Sequence, residues 1–421
     1  MIDTGNTAWL LLCAAMVFFM TPGLAFFYGG MSRSKNVLST IMQSFFIIGL
    51  IGVEWLILGY SLAFSGDLGG IIGDFGKVGL QGVLGQVMDP GIPEMAFVAF
   101  QCMFAIITPA LISGALVGRI RFGAYVVFSL IWSTILYNVM AHMVWGGGLL
   151  ASLGALDFAG GLVIHILSGV SALTLCLLLG RRSGYGKRPM TPHHMPMVVL
   201  GAAILWFGWF GFNAGSALGA NELAAIAFVN TQVAAAMGLV GWALVEWFHH
   251  GKPTVLGAAS GAVSGLVAIT PAAGFVTPIA SLIMGLLGAA ICYVSVVFVK
   301  NKLGYDDSLD AFGIHGVGGM WGAIATGLFA TTNVNEAGAD GLFYGDAHLL
   351  LVQILSVVVA IVIAVVGTYI IYRGLSLCMK VRVSAKEEMA GLDISQHGES
   401  AYNESDFKGG AFSLSDSSTW H

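Results

Sequence analysis

The chain is 421 residues long, 57% apolar and only 9% charged, with a formal net charge of −5. Water-soluble globules carry roughly 25% charged residues, so this composition excludes one and defines an integral membrane protein. Its five cysteines are scattered singly, without metal-type spacing, and read as packing residues.

Apolar runs of about 20 residues, the length that spans a bilayer, occupy 8–31, 37–64, 95–117, 123–145, 161–180, 197–217, 224–247, 255–271, 276–299, 311–330 and 347–373. Strands of a transmembrane barrel alternate over about ten residues, whereas these runs are longer and apolar throughout. The expected fold is therefore an all-α polytopic membrane protein with eleven transmembrane helices. Basic residues set its orientation. Arg33, Lys35, Arg119, Arg121, Arg181, Arg182, Lys187, Arg188, Lys252, Lys300, Lys302 and the chain from Arg373 onward fall on one side, and Lys77 alone on the other. The loops on the Lys77 side carry Asp67, Asp74, Asp89, Glu94, Asp157, Glu222, Glu336, Asp340 and Asp346, and the positive-inside rule places them outside. An odd number of spans then puts the N-terminus outside and the C-terminus in the cytoplasm. The first run follows acidic MIDTGN and lacks the basic flank of a signal peptide, so it is expected to persist as a mature helix.

In chain order, the second run carries Glu54, expected to face another helix or subunit, and the third contains IITPA from Ile106 to Ala110. The fourth places His142, expected to pack, one turn before Trp145. The fifth opens with LDFAG, whose Asp157 suits a helix cap, and then reaches His165. The pairs His193–His194 and His249–His250 fall in cytoplasmic loops and are expected to be solvated. The eighth run contains AITPA from Ala268 to Ala272, and the tenth opens with LDAFG, whose Asp310 reads as a second cap, before His315. These echoes suggest that helices 1–5 and 6–10 are two copies of a five-helix unit, inverted because five is odd, with one C-terminal helix added. Ionisable groups inside membrane segments mark pathways. An inverted repeat puts its site between the halves near the midplane, which is where His165 and His315 fall. A zinc site needs about four ligands, and neither histidine helix supplies a nearby Cys or second His. The 59 glycines fit closely packed membrane helices.

The stretches TPGLAFFYGGMSRSKNVLS, DFAGGLVIHILSGVSAL, WFGWFGFNAGSAL and DAFGIHGVGG together resemble the ammonium transporter/Rh family, and its microbial and plant branch in particular, over residues 6 to 403. The resemblance implies a homotrimer in the cell membrane with one pore per subunit, carrying ammonium inward without a cofactor, an enzymatic step or a nucleic-acid partner. It also implies that Phe104, Trp145 and Ser216 form an outer recruitment site, that Phe104 and Phe212 are a stacked gate, and that Asp157 orders the recruitment site. Thr270 is expected to shape the vestibule.

These assignments agree with elementary chemistry. Ammonium donates four hydrogen bonds and can shed a proton, and potassium can do neither. An aromatic face contributes about 0.5–2 kcal/mol to cation binding, and a hydroxyl supplies the acceptor. The competing readings are a membrane-belt tryptophan and a serine bonded to its own helix. Two stacked rings would exclude hydrated ions, whose transfer to an apolar medium costs tens of kcal/mol. Beyond them, facing neutral imidazoles offer a proton wire, and rings that share a proton titrate as a pair.

Residues 1–378 form the expected membrane domain and 379–421 a cytoplasmic tail. Within the tail, VRVSAKEEMAGLDISQHGESAY resembles the family's regulatory segment, with Gly391, Leu392, Asp393 and His397 to Tyr402 as its motif. That resemblance implies contacts with neighbouring subunits and a surface for a PII-type signal protein. Residues after about 404 are expected to be disordered. The functional expectation is selective ammonium uptake, with deprotonation outside and passage as ammonia. An ammonium sensor and a passive ammonia or gas channel are the alternatives.

Overall fold

A computed structural model describes residues 1–402; the tail beyond, where disorder is expected, lies outside the described residues. Helices dominate: α1 (Thr4–Met31), α2 (Ser34–Phe64), α3 (Glu94–Ala115), α4 (Phe122–Ser152), α5 (Gly161–Leu179), α6 (Met195–Gly215), α7 (Glu222–His250), α8 (Val255–Ile269), α9 (Pro278–Leu303), α10 (312–329), α11 (Ala347–Cys378) and, in the tail, α12 (Ala385–Ala390). Among the described residues nine of these have the length and apolarity to cross a bilayer, and α8 is a shorter apolar helix. A two-stranded hairpin, β1 (Val87–Met88) and β2 (Ile92–Pro93), pairs Val87 with Pro93 and Met88 with Ile92 in the loop before α3.

Helix starts follow local chemistry. Side chains of Asp3, Asn221, Thr254, Thr277 and Asp346 accept from the backbone N–H two or three residues on, at the first turns of α1, α7, α8, α9 and α11. Ser384 and Glu387 form a reciprocal capping box on α12. The outer faces of the bundle carry large exposed apolar side chains such as Phe18, Phe45, Phe207, Val358 and Ile370. Apolar surface on that scale needs lipid or a protein neighbour rather than water.

Inside, α1 packs most extensively on α6, α7 on α8 and α9, and α5 on α10 and α11. The α5–α10 crossing is a very close backbone-to-backbone approach. A Cβ on Gly169 would stand 2.2 Å from the Gly316 nitrogen and 3.0 Å from the His315 carbonyl carbon. Only glycine permits this approach, and it brings the two histidine-bearing segments together.

The tail is tied to the bundle. Arg121 N donates to Val381 O and Val383 N to Arg119 O, pairing the segment before α12 with the loop before α4. Leu392 N donates to the Asn36 side chain, and Asp393 Oδ1 accepts from Ser39 N at 2.8 Å, capping the first turns of α2. Gly391, with φ +103°, lies directly against Lys35, and the His397 ring meets Phe122 edge-on at 5.0 Å.

Candidate functional site

One face of α3 organises the site. Glu94, Phe97, Gln101 and Phe104, spaced by three or four residues, line a vestibule of about 500 Å³ that also contains Trp145 and Ser216. The same face continues through Ile107 and Leu111 into a much smaller cavity of about 10 Å³, lined by apolar side chains and by His165 and His315. Met20 and Leu24 of α1 line that narrow passage, and Met31, two turns further along α1, lines a third cavity of about 300 Å³ with Lys300 and Asp310. The three cavities therefore follow α1 and α3 from one end of the bundle to the other.

Between the vestibule and the narrow passage stand Phe104 and Phe212, stacked with ring centres 4.3 Å apart and planes 25° from parallel. Both are 1% exposed, so the vestibule has no open path past them. Trp145 meets Phe104 edge-on at 6.1 Å, and its Nε1 donates to Asp157 O at 2.8 Å. Ser216 Oγ donates to Phe212 O at 2.8 Å. That local bond uses the hydroxyl proton and leaves the oxygen lone pairs free to accept.

Beyond this pair the rings continue as a stack. His165 lies 6.2 Å from Phe212, 5.4 Å from Trp209 and 5.3 Å from His315, centre to centre. The Nδ1 atoms of His165 and His315 are 3.2 Å apart, and His165 Nε2 is buried without a partner. A single Nδ1–H···Nδ1 bond requires one ring to donate and the other to accept. The two outward Nε2 atoms of a neutral pair then have opposite characters, one acceptor and one donor.

Both histidines sit on π-helical turns, Gly161–Ile166 and Phe312–Gly316, a geometry that often marks functional sites. Each turn is anchored by a buried carboxylate. Asp157 accepts from the backbone N–H groups of Gly160, Gly161, Leu162 and Val163, which is the cap its position suggests. Asp310 does not supply the second cap. Asp307 does, accepting from Ala311 N and Phe312 N, while Asp310 takes a left-handed backbone (φ +62°) and pairs with Lys300 at 2.6 Å. Eight residues separate Asp157 from His165 and Asp307 from His315. That shared offset is the signal that identifies the true counterpart.

Thr270 also differs from expectation. It is wholly buried rather than vestibular, and its Oγ1 accepts from Trp209 Nε1 at 2.8 Å, fixing the indole that stacks on His165. Glu54 faces α4, where Thr134 Oγ1 and Asn138 Nδ2 both donate to it at 3.0 Å. His142 packs, bonded to Ala63 O and Asp67. His193 and His194 are half-buried rather than solvated: His193 bridges Ser32 O and the Tyr402 hydroxyl, and His194 caps α6 by accepting from Met197 N. The exposed His249 and His250 end α7 rather than lying in a loop.

Sequence reasoning missed three further groups. Trp209 lies beside the histidines. Arg119, counted only as a basic-side charge, is wholly buried against Asp306, which also pairs with Arg182; these guanidinium groups hold the Asp306 carboxyl below its ordinary range despite burial. At the vestibule mouth, Glu94 accepts from both Tyr60 OH and Lys77 Nζ.

An apolar helical bundle with a stacked, buried aromatic pair and a buried histidine pair on a path between two open cavities defines a polytopic membrane protein of the transporter class. Residues 8–402 match the Ammonium Transporter Family, and the chain belongs to that family. It is 53% identical over 409 residues to the ammonium transporter of Bacillus subtilis, covering 96% of this chain and 100% of that protein. It is 43% identical over 402 residues to ammonium transporter Amt1 of Archaeoglobus fulgidus, covering 95% and 100%. The crystal structure of Candida albicans Mep2 superposes with a TM-score of 0.87 at 36% identity, covering 95% of this chain and 91% of that one. A structure titled Sensor Amt Protein superposes at 0.86 with 27% identity, covering 93% and 98%.

Proposed function

We propose that this protein takes up ammonium selectively, recruiting the cation at Phe104, Trp145 and Ser216 and passing it as ammonia along His165 and His315 with co-transfer of its proton. The observation that carries this reading is the unbroken ring path Trp145, Phe104, Phe212, His165 and His315, with successive centres 4.3–6.2 Å apart. Trp145 and Phe104 offer aromatic surface to a cation and Ser216 an acceptor. A passage of about 10 Å³ accommodates no hydrated ion. The substrate therefore sheds water and charge before the gate. A proton delivered to the acceptor Nε2 of the histidine pair leaves from the other ring's Nε2 once the shared Nδ1 proton shifts, and ammonia passes alongside.

In this reading eleven helices span the membrane as two inverted five-helix repeats plus α11, with the vestibule and N-terminus outside and the tail in the cytoplasm. Three copies assemble with one pore each. Gly391, Asp393 and His397 hold the tail against α2 and α4, forming a cytoplasmic surface for a PII-type protein. The likeness to a sensor Amt and the tail's cap on α2 favour a second reading, in which site occupancy is reported through the tail.

Purified protein in liposomes on a solid support, given an ammonium jump and an equal potassium jump, tests the assignment. A saturable current for ammonium alone is expected. Ammonium-driven internal alkalinisation without current would overturn proton co-transfer in favour of a passive ammonia channel. Neither signal from correctly inserted protein would leave the sensor reading.

A further inference from the structure

Glu94 opens α3 at the mouth of the vestibule, ten residues before Phe104 on the same helix face. At 1.5 Å of rise per residue it stands about 15 Å from the gate. Its carboxylate accepts from Tyr60 OH and from Lys77 Nζ, and Nζ also lies 5.7 Å from the centre of the Tyr60 ring. The Lys77 ammonium is thus held by a carboxylate and an aromatic face, the two chemistries that hold a free ammonium or alkylammonium ion. Glu94 has a side chain 6% exposed, while Lys77 remains 31% exposed, and its flexible stem gives the ammonium a route to water once another cation takes its place on the carboxylate. No other Lys or Arg occurs in residues 65–93. Between Glu94 and the gate, Gln101 lines the cavity at 8% exposure with its Oε1 lacking a partner in the chain, an acceptor left over for an N–H donor.

Building on the transport reading, we propose that Glu94 and the Tyr60 ring form an entry site for small ammonium cations, above the Trp145–Ser216 site, and that Lys77 is its tethered competitor. An arriving cation displaces the lysine, occupies Glu94, and descends past Gln101. The lysine closes the carboxylate again behind it. Occupancy of Glu94 by the chain's own ammonium raises the external concentration needed to load the pore. It also keeps the buried carboxylate paired when substrate is scarce. The simpler reading is a clasp that fastens the loop 65–93 to α3, and the two make different predictions.

The test measures ammonium-driven currents of the full chain in liposomes for Lys77→Met, Glu94→Gln and the double variant, with melting temperature and gel filtration on each. Lys77→Met is expected to lower the half-saturating ammonium concentration about threefold or more, and Glu94→Gln to raise it by a similar factor. Maximal currents are expected to stay within about twofold. In the double variant the lysine substitution is expected to have no further effect, which separates competition at Glu94 from a general change in surface charge. Lys77→Gln and Glu94→Asp repeat the comparison if either first variant folds poorly. Shifts of the same sign, or lowered melting temperatures with unchanged half-saturation, assign the pair to the clasp and overturn the proposal. A wild-type protein without a saturable ammonium current would instead overturn the transport reading on which it rests.

Discussion

Replacing Gly169 with alanine tests whether contact between the histidine rings is needed for charge movement. The added Cβ would stand 2.2 Å from Gly316 N, 2.5 Å from Gly316 Cα and 3.0 Å from the His315 carbonyl carbon, all backbone atoms. Real Cβ contacts fall below 3.0 Å essentially never and below 3.4 Å seldom. The α10 backbone must therefore retreat by roughly 1 Å, at an overpacking cost of about 1–3 kcal/mol. The displaced atoms belong to His315 and its neighbour, and His165 lies one turn before Gly169. A retreat of that size stretches the Nδ1–Nδ1 separation from 3.2 Å to about 4 Å, beyond hydrogen-bond reach. Gly169→Ala should fold with a melting temperature a few degrees lower and lose most of its ammonium current. Ammonia passage, read as internal alkalinisation, should persist. Gly374→Ala, where a Cβ meets nothing within 4 Å, is the control and should behave as wild type. Wild-type current from Gly169→Ala would show that the close crossing is not what couples the rings to charge movement.

Other substitutions address the supports around the pair. Asp307→Asn places an amide donor where Ala311 N or Phe312 N now donates, so a stability loss of about 2 kcal/mol is expected in a thermal melt. Asp310→Asn should cost less than about 1 kcal/mol, because Asn tolerates a left-handed backbone and the lost ion pair is partly exposed; equal losses would refute the reassigned cap. Thr270→Val removes the acceptor of buried Trp209 Nε1, and the structure predicts a loss of about 1–3 kcal/mol together with reduced current. A Thr270→Val protein matching wild type in both would detach Trp209 from the mechanism. Tail docking should depend on pH: burial holds the His397 imidazole below its ordinary range, so docking is strongest above about pH 6.5 and weakens as pH falls through the interval below it. Asp393, raised by burial, acts with the opposite sign at lower pH. Hydrogen exchange at Leu392, corrected for its intrinsic pH dependence, should show protection falling from about pH 7.5 to about pH 5.5. Unchanged protection would separate His397 from docking.

Helix positions were legible because apolar length is a property of contiguous sequence, and the nine long apolar helices fall on runs visible in it. The residues of the candidate site were legible for a different reason. His165, His315, Phe212 and Ser216 lie inside long motifs, and the geometry brings them onto one path. Local similarity misled at Asp310, where LDFAG and LDAFG align by composition but the chain turns left-handed just before the helix. The constant offset from carboxylate to histidine was the better guide. Thr270 stood out as a polar residue in an apolar helix, yet its partner Trp209 is 61 residues away, and no local pattern reports such a contact. Arg119 served to orient the chain, but charge counting says nothing of burial, and this guanidinium is enclosed with Asp306. Glu94 belonged to an acidic loop in the orientation argument. Its place in the vestibule follows from the seven- and ten-residue steps to Gln101 and Phe104, a helical period visible only when the loop residue is read as the helix start.

The smallness of the passage has an osmotic consequence. About 10 Å³ between Phe212 and the histidines holds no more than a single water-sized molecule, and the walls around it are apolar apart from the two imidazole rings. A continuous file of water has no room to form along that stretch. In the transport reading, solute and solvent fluxes are thereby uncoupled: ammonia crosses this stretch without a file of water beside it.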